Sequence, residues 1–319
     1  MWHFGALLTI VLCSAAFLTS SPAQAYARQR VSARSKAVAS AASPIATGDV
    51  VPAGAPRITG SAALLIDPTT EHVYLSMHAD RRLAMASTTK IMTTVVALTY
   101  GNPDQKITVG ADAEAVNLSG ENSSAQLKHG DVLTLRQMLY GLLLPSGDDA
   151  AVAIADGVAG SQENFVALMN AEAALLGMTH THYVNPHGLD EAGHYTTASD
   201  LLQLARFALT FPLFRQIVAT AHLDVKATSE HPDYHWDNTN TLLLSSSHYP
   251  GIIGIKTGHT GDAGYCLVFA AQRSYGALLG VVLGDGVDPE RFDSATALMD
   301  WGFAQERRAN TWKTVIFGK

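Results

Sequence analysis

Apolar and polar positions divide the chain into a short N-terminal apolar run, a stretch without periodicity, and a body where strand-like and helix-like patterns succeed one another. Residues 61–66 and 71–77 flank Asp67-Pro68-Thr69-Thr70 and predict two strands around a turn. Ser87 opens onto the apolar run Ile91-Met92-Thr93-Thr94-Val95-Val96-Ala97-Leu98, which predicts a buried helix. A helix over about 134–144 runs into Pro145-Ser146-Gly147, and the next begins at Asp149. In 162–176, Phe165, Leu168, Met169, Ala173 and Leu176 recur at helical spacing, with Glu172 interrupting the stripe. Residues 198–209 continue the helical pattern, and Ile252–Ile255 leads as an apolar strand into Lys256. Segments 264–271 and 275–283 form a strand pair around Gln272-Arg273-Ser274. A last helix over about 288–303 places Phe292, Ala295 and Met299 on one face. Strands at both ends with helices between them predict an α+β architecture.

Residues 5–18 are apolar but short for a bilayer span, and small-residue sites follow at Ala23-Gln24-Ala25 and Ala25-Tyr26-Ala27. This predicts a signal peptide over 1–25 and export to the periplasm or the outer face of the envelope, with a retained anchor as the alternative. Residues 26–56, rich in Ala, Ser and Pro, predict a disordered linker, which leaves 57–319 as the folded domain. A net charge of −7 argues against a nucleic-acid partner. Beyond the signal segment Cys266 is the single cysteine, set in the apolar run Gly264-Tyr265-Cys266-Leu267, and is expected to be a small buried hydrophobe.

Three short motifs carry the chemistry: Ser87-Thr88-Thr89-Lys90, Ser146-Gly147-Asp148 and Lys256-Thr257-Gly258. A serine three residues before a lysine places hydroxyl and amine on one helical face. As a helix cap, Ser87 would also sit where free backbone N–H groups favour an oxyanion. Lys90 must be neutral to act as a base, and bringing a lysine from ~10.4 to about 7–8 costs roughly 3–5 kcal/mol. Burial and repulsion from Lys256 are the available causes. Ser146 supplies a second hydroxyl for proton relay, or caps the following helix as Ser-x-x-Asp. Lys256 and the Thr257 hydroxyl can bind a carboxylate, Gly258 admits close backbone approach, and the His259 backbone N–H can serve as an oxyanion donor. Each motif alone has a bland reading as a cap, a surface lysine or a strand ending in a turn; their order together is specific. Thirteen histidines include His180, His182, His187 and His194, but no carboxylate stands at a recognised metal spacing, so they are expected to be structural.

With Leu64-Leu65-Ile66-Asp67, Gly177-Met178-Thr179, Asn185-Pro186-His187-Gly188-Leu189 and Lys256-Thr257-Gly258-His259-Thr260 leading to Ala263-Gly264-Tyr265, the chain resembles the low-molecular-mass penicillin-binding proteins, the D-alanyl-D-alanine carboxypeptidases of serine peptidase family S11. The resemblance runs over about residues 58–305. It implies a β-lactamase/transpeptidase-like fold, with an antiparallel sheet flanked by helices and a mainly helical subdomain. It further implies Ser87 as acylated nucleophile, Lys90 as base, Ser146 as relay, and Asp148, Lys256, Thr257, Gly258 and His259 as substrate-binding groups. Peptidoglycan stem peptides would be the substrates and β-lactams the inhibitors, with no cofactor and no metal. Asp148 departs from the usual Asn of the family, and one arrangement pairs it with Lys256. Thr239, in Asn238-Thr239-Asn240, stands where some relatives carry an arginine. The competing readings are a DD-endopeptidase on the same site, a catalytically silent wall-binding protein, and a class A-like β-lactamase, for which Glu163 is the sequence candidate for the deacylating base.

Overall fold

Five apolar segments pair into one antiparallel sheet: β1 (Ala62–Ile66), β2 (Val73–Met77), β7 (Ile252–Thr260), β8 (Gly264–Arg273) and β9 (Gly276–Asp285), in the order β2-β1-β9-β8-β7. The structure, a computed structural model, describes residues 48–118 and 123–317. The expected signal peptide and the expected linker up to residue 47 lie outside them. The linker prediction overran at its other end, because Val50 exchanges backbone hydrogen bonds of 2.7 and 2.8 Å with Ser76 of β2.

Both faces of the sheet are covered, which explains why β1 is an unbroken apolar run rather than an alternating one. Ala63, Leu65, Leu267, Phe269 and Val282 pack on one face against Ala295, Leu298, Met299 and Phe303 of the last helix, Asp288–Phe317, which continues beyond its predicted end. On the other side lies the helical region. Its centre is α1 (Lys90–Tyr100), buried from Lys90 through Ala97, with the polar Lys90, Thr93 and Thr94 among the buried residues and each hydrogen-bonded.

Around α1 stand α3 (Leu135–Leu143), α4 (Asp148–Ala159), α5 (Gln162–Leu175) and α6 (Ala198–Ala208). Thr134 and Gln137 start α3 with a reciprocal capping box, the Gln137 N–H donating to Thr134 Oγ1 at 3.2 Å and the Thr134 N–H to Gln137 Oε1 at 2.8 Å. Glu172, which breaks the apolar stripe of α5, is buried nonetheless and accepts the Tyr100 hydroxyl at 2.8 Å. Ladders of three or four residues, β3 with β4 (Lys106–Thr108, Val132–Thr134) and β5 with β6 (His222–Val225, Tyr234–Asp237), were not predicted. Such strands hold too few alternations to stand out. The short helices α2 (Ala111–Ala115) and α7 (Pro212–Val218) were missed for the same reason. The final helix is α8.

Candidate active site

Ser87 does not cap a helix as predicted. It lies second in the 3₁₀ turn Ala86–Thr89, which feeds directly into α1. Ala86 holds a left-handed φ of 48°, an uncommon backbone state for alanine and a store of strain beside Ser87. The turn is held by Thr88 Oγ1 donating to the Met85 carbonyl at 2.6 Å and Thr89 Oγ1 donating to the Ala86 carbonyl at 2.8 Å. Behind it stands His194. The Val184 N–H donates to its Nδ1 at 3.1 Å, so the neutral ring carries its proton on Nε2 and donates to Thr89 Oγ1 at 2.8 Å. Burial lowers the His194 pKa to about 4, in keeping with that neutral tautomer.

Lys90 is fully buried, and its Nζ lies 2.7 Å from Ser87 Oγ, 2.5 Å from Asp148 Oδ1 and 2.7 Å from the His187 carbonyl oxygen. Burial lowers its pKa from the ordinary lysine value, and the Asp148 carboxylate opposes that fall. Asp148 therefore pairs with Lys90, not with Lys256. The reason is placement: Asp148 opens α4, which packs against α1, whereas Lys256 sits in β7 at the sheet edge. Asp148 Oδ2 also accepts the Ser123 N–H at 3.2 Å.

Ser146 lies in the turn between α3 and α4 with a left-handed φ of 67°. The residue before α4 is Gly147 and no side chain caps it, so the predicted Ser-x-x-Asp cap does not form. The adjacent Asp149 is buried and organises the neighbouring loop. Its oxygens accept from the Ala125 N–H at 2.9 Å, the Leu127 N–H at 3.0 Å and the Ser124 hydroxyl at 2.9 Å. Its role was not foreseen, although two successive acidic residues opening a helix were a visible signal.

β7 runs beside the serine turn. A Cβ on Gly258 would stand 3.2 Å from the Ser87 nitrogen and 3.1 Å from the Ala86 Cβ, so only glycine lets the strand lie this close without displacement. Lys256 is buried, with Nζ donating to the Thr257 carbonyl at 3.0 Å. Burial, then repulsion from Lys90, push its pKa well below the ordinary lysine range. Thr257 Oγ1 meets Thr239 Oγ1 at 2.6 Å. His259 is exposed, its ring stacked on Tyr265 at 4.0 Å. Arg291 of α8 donates from Nη1 to the Gly258 carbonyl at 3.0 Å, a contact no motif announced. Glu163 is exposed in the first turn of α5.

The loop 185–190 ties these parts together. Its His187 carbonyl accepts a hydrogen bond from Lys90, Gly188 sits against Ala86, and Asp190 accepts the Thr260 hydroxyl at 2.7 Å and the Asp262 N–H at 2.9 Å at the end of β7. The S11 peptidase family model, described as D-alanyl-D-alanine carboxypeptidase, matches residues 49–286. The chain belongs to this family. The D-alanyl-D-alanine carboxypeptidase of Streptomyces sp. strain K15 is 36% identical over 287 residues, which cover 83% of this chain and 98% of that one. DacB2 of Mycobacterium tuberculosis is 38% identical, with 83% and 90% covered. DacF of Bacillus subtilis is 35% identical over 76% of this chain but only 62% of its own length. The crystal structure of the Streptomyces K15 DD-transpeptidase superposes with a TM-score of 0.74 at 36% identity, covering 78% of this chain and 99% of that one.

Proposed function

We propose that the protein is an exported serine-type D-alanyl-D-alanine carboxypeptidase that trims peptidoglycan stem peptides and is acylated by β-lactams on Ser87. The observation that carries this reading is the 2.7 Å contact of Ser87 Oγ with a buried lysine amine, beside a strand bearing Lys256, Thr257 and Gly258. In the proposed acylation Ser87 Oγ bonds to the carbonyl carbon of the penultimate D-alanine, and its proton passes to neutral Lys90. The Ser87 and His259 backbone N–H groups hold the oxyanion. Collapse breaks the carbon–nitrogen bond, and Ser146 passes the Lys90 proton to the departing amine. Water then cleaves the ester and restores the serine. Lys256 and Thr257 hold the terminal carboxylate, a task for which Thr239 supplies a hydroxyl rather than a cation.

A second reading replaces water by an amine acceptor in the last step, because the Streptomyces K15 relative is known both as a carboxypeptidase and as a DD-transpeptidase. Peptide mapping after labelling with fluorescent penicillin is expected to place the adduct on Ser87, and a peptide ending in D-Ala-D-Ala is expected to release free D-alanine. Ser87→Ala abolishes both. An adduct on another serine, or release that survives Ser87→Ala, overturns the proposal; peptide joined to an added amine in place of D-alanine release selects the second reading.

A further inference from the structure

Lys90 Nζ stands among three oxygens, those of Ser87, Asp148 and His187. An ammonium has three donors and no acceptor, so it satisfies all three at once. A neutral amine that takes the Ser87 proton has to turn its lone pair toward the serine, leaving two protons for the His187 carbonyl and Asp148. Resting on the reading of Ser87 and Lys90 as nucleophile and base, we infer that Asp148 is a positioning residue that locks Lys90 as an ammonium in the free enzyme. It thereby raises the pH at which acylation begins.

The pair is closed to water, with Lys90 0% and Asp148 2% exposed, so solvent does little to screen it. The Ser123 N–H holds Asp148 Oδ2, which keeps the other oxygen, Oδ1, aimed at Lys90. The other charged or titratable groups facing the pair are Asp149 on α4, His187 and His194 on the neighbouring loop, and Lys256 on β7, with Arg291 acting on Lys256 from α8. His187 and His194, lowered to about 3 and about 4 chiefly by burial, stay neutral above pH ~5. Lys256 differs in sign: losing its proton removes the cation that holds a carboxylate and ends activity, whereas losing the Lys90 proton begins it. Activity thus needs Lys90 neutral and Lys256 charged at once, so each of the two lysines sets one limb of the pH profile, and the Lys90 NMR signal identifies which limb is its own.

A carboxylate in contact with a lysine moves its titration upward by about 1–3 units. Replacing it with a neutral group therefore moves the limb set by Lys90 downward by about 1–3 pH units. The limb set by Lys256 moves the same way but less, because burial, Lys90 and Arg291 all act on Lys256 more strongly than Asp148 does. The test is the second-order rate of acylation by fluorescent penicillin from pH ~5 to ~10 in the wild type, Asp148→Asn and Asp148→Ser, with thermal unfolding of each. In the wild type, ¹³C NMR of the Lys90 Cε reads the charge state without any substitution, and an ammonium at neutral pH is expected. pH profiles that superimpose in folded variants, or a neutral Lys90 at pH ~7, overturn the inference while leaving Ser87 acylation intact. A wild type that is acylated at no pH sinks the serine-peptidase reading and the inference with it.

Discussion

Asp149 shows how much one buried side chain can determine in this site. Its carboxylate holds the Ala125 and Leu127 N–H groups and the Ser124 hydroxyl, and the same loop offers Ser123 to Asp148. Truncation strands these donors, and each unsatisfied buried group costs roughly 1–3 kcal/mol. Asp149→Ala is expected to lower unfolding stability by about 2–4 kcal/mol and to speed amide exchange at Ala125 and Leu127. Slower Ser87 acylation should accompany it. Unchanged exchange at those two amides would show that the loop stands without the carboxylate. The three motifs and the close approach at Gly258 were legible from residue types. Asp149, Arg291 and the His187 carbonyl were not, because a hydrogen bond from a distant element has no local signature.

The Ser87 turn, α1 and the loop 185–190 form a unit joined through backbone as much as side chains. Thr93 Oγ1 donates to the Pro186 carbonyl at 2.5 Å, and the Asn185 side chain accepts the Gly188 N–H at 2.7 Å. Gly188 has φ +99°, and a Cβ there would lie 2.0 Å from the Ala86 carbonyl oxygen. Gly188→Ala must therefore push apart the two segments that present Ser87 and the His187 carbonyl. It is expected to destabilise by about 2 kcal/mol or more and to slow acylation at least ~10-fold. Gly193→Ala is the control: φ is +89°, but the nearest atom to its Cβ is 3.7 Å away, so it carries only the conformational strain, about 1–2 kcal/mol. Equal effects of the two substitutions on acylation would remove the loop from the site's construction. Among the elements, long helices and the paired strands of the sheet were predicted within a few residues. Missed were the elements too short to show a period, and the 3₁₀ turn that puts Ser87 just ahead of α1.

Across the whole molecule, buried neutral histidines link the site to folding. A base whose titration is lowered on folding stabilises the native state fully above its unfolded value, and that stability is lost as pH falls toward the folded value. For His194 the window runs from the ordinary ~6.5 down to about 4, and for His187 down to about 3. Asp156, raised to about 6 chiefly by burial, acts in the opposite sense within this window. Comparing the wild type with His194→Gln cancels that contribution, since both proteins keep Asp156. The stability advantage of the wild type is expected to shrink by on the order of 2 kcal/mol between pH ~7 and ~4.5, read from urea unfolding at the two pH values. A constant difference would mean that His194 is not the neutral, buried support of the Ser87 turn.

Residue order alone determined the reaction class, the α+β architecture, and the sheet strand that carries Lys256, Thr257 and Gly258. These follow from local spacing and from apolar runs that must be buried whatever the topology. Only the tertiary structure decided which cation takes Asp148. Lys90 and Lys256 lie 58 positions before and 108 positions after it in the chain, and nothing in either spacing ranks them. The packing of α4 on α1 settles the choice, because a buried carboxylate has to meet the charge that the fold brings to it.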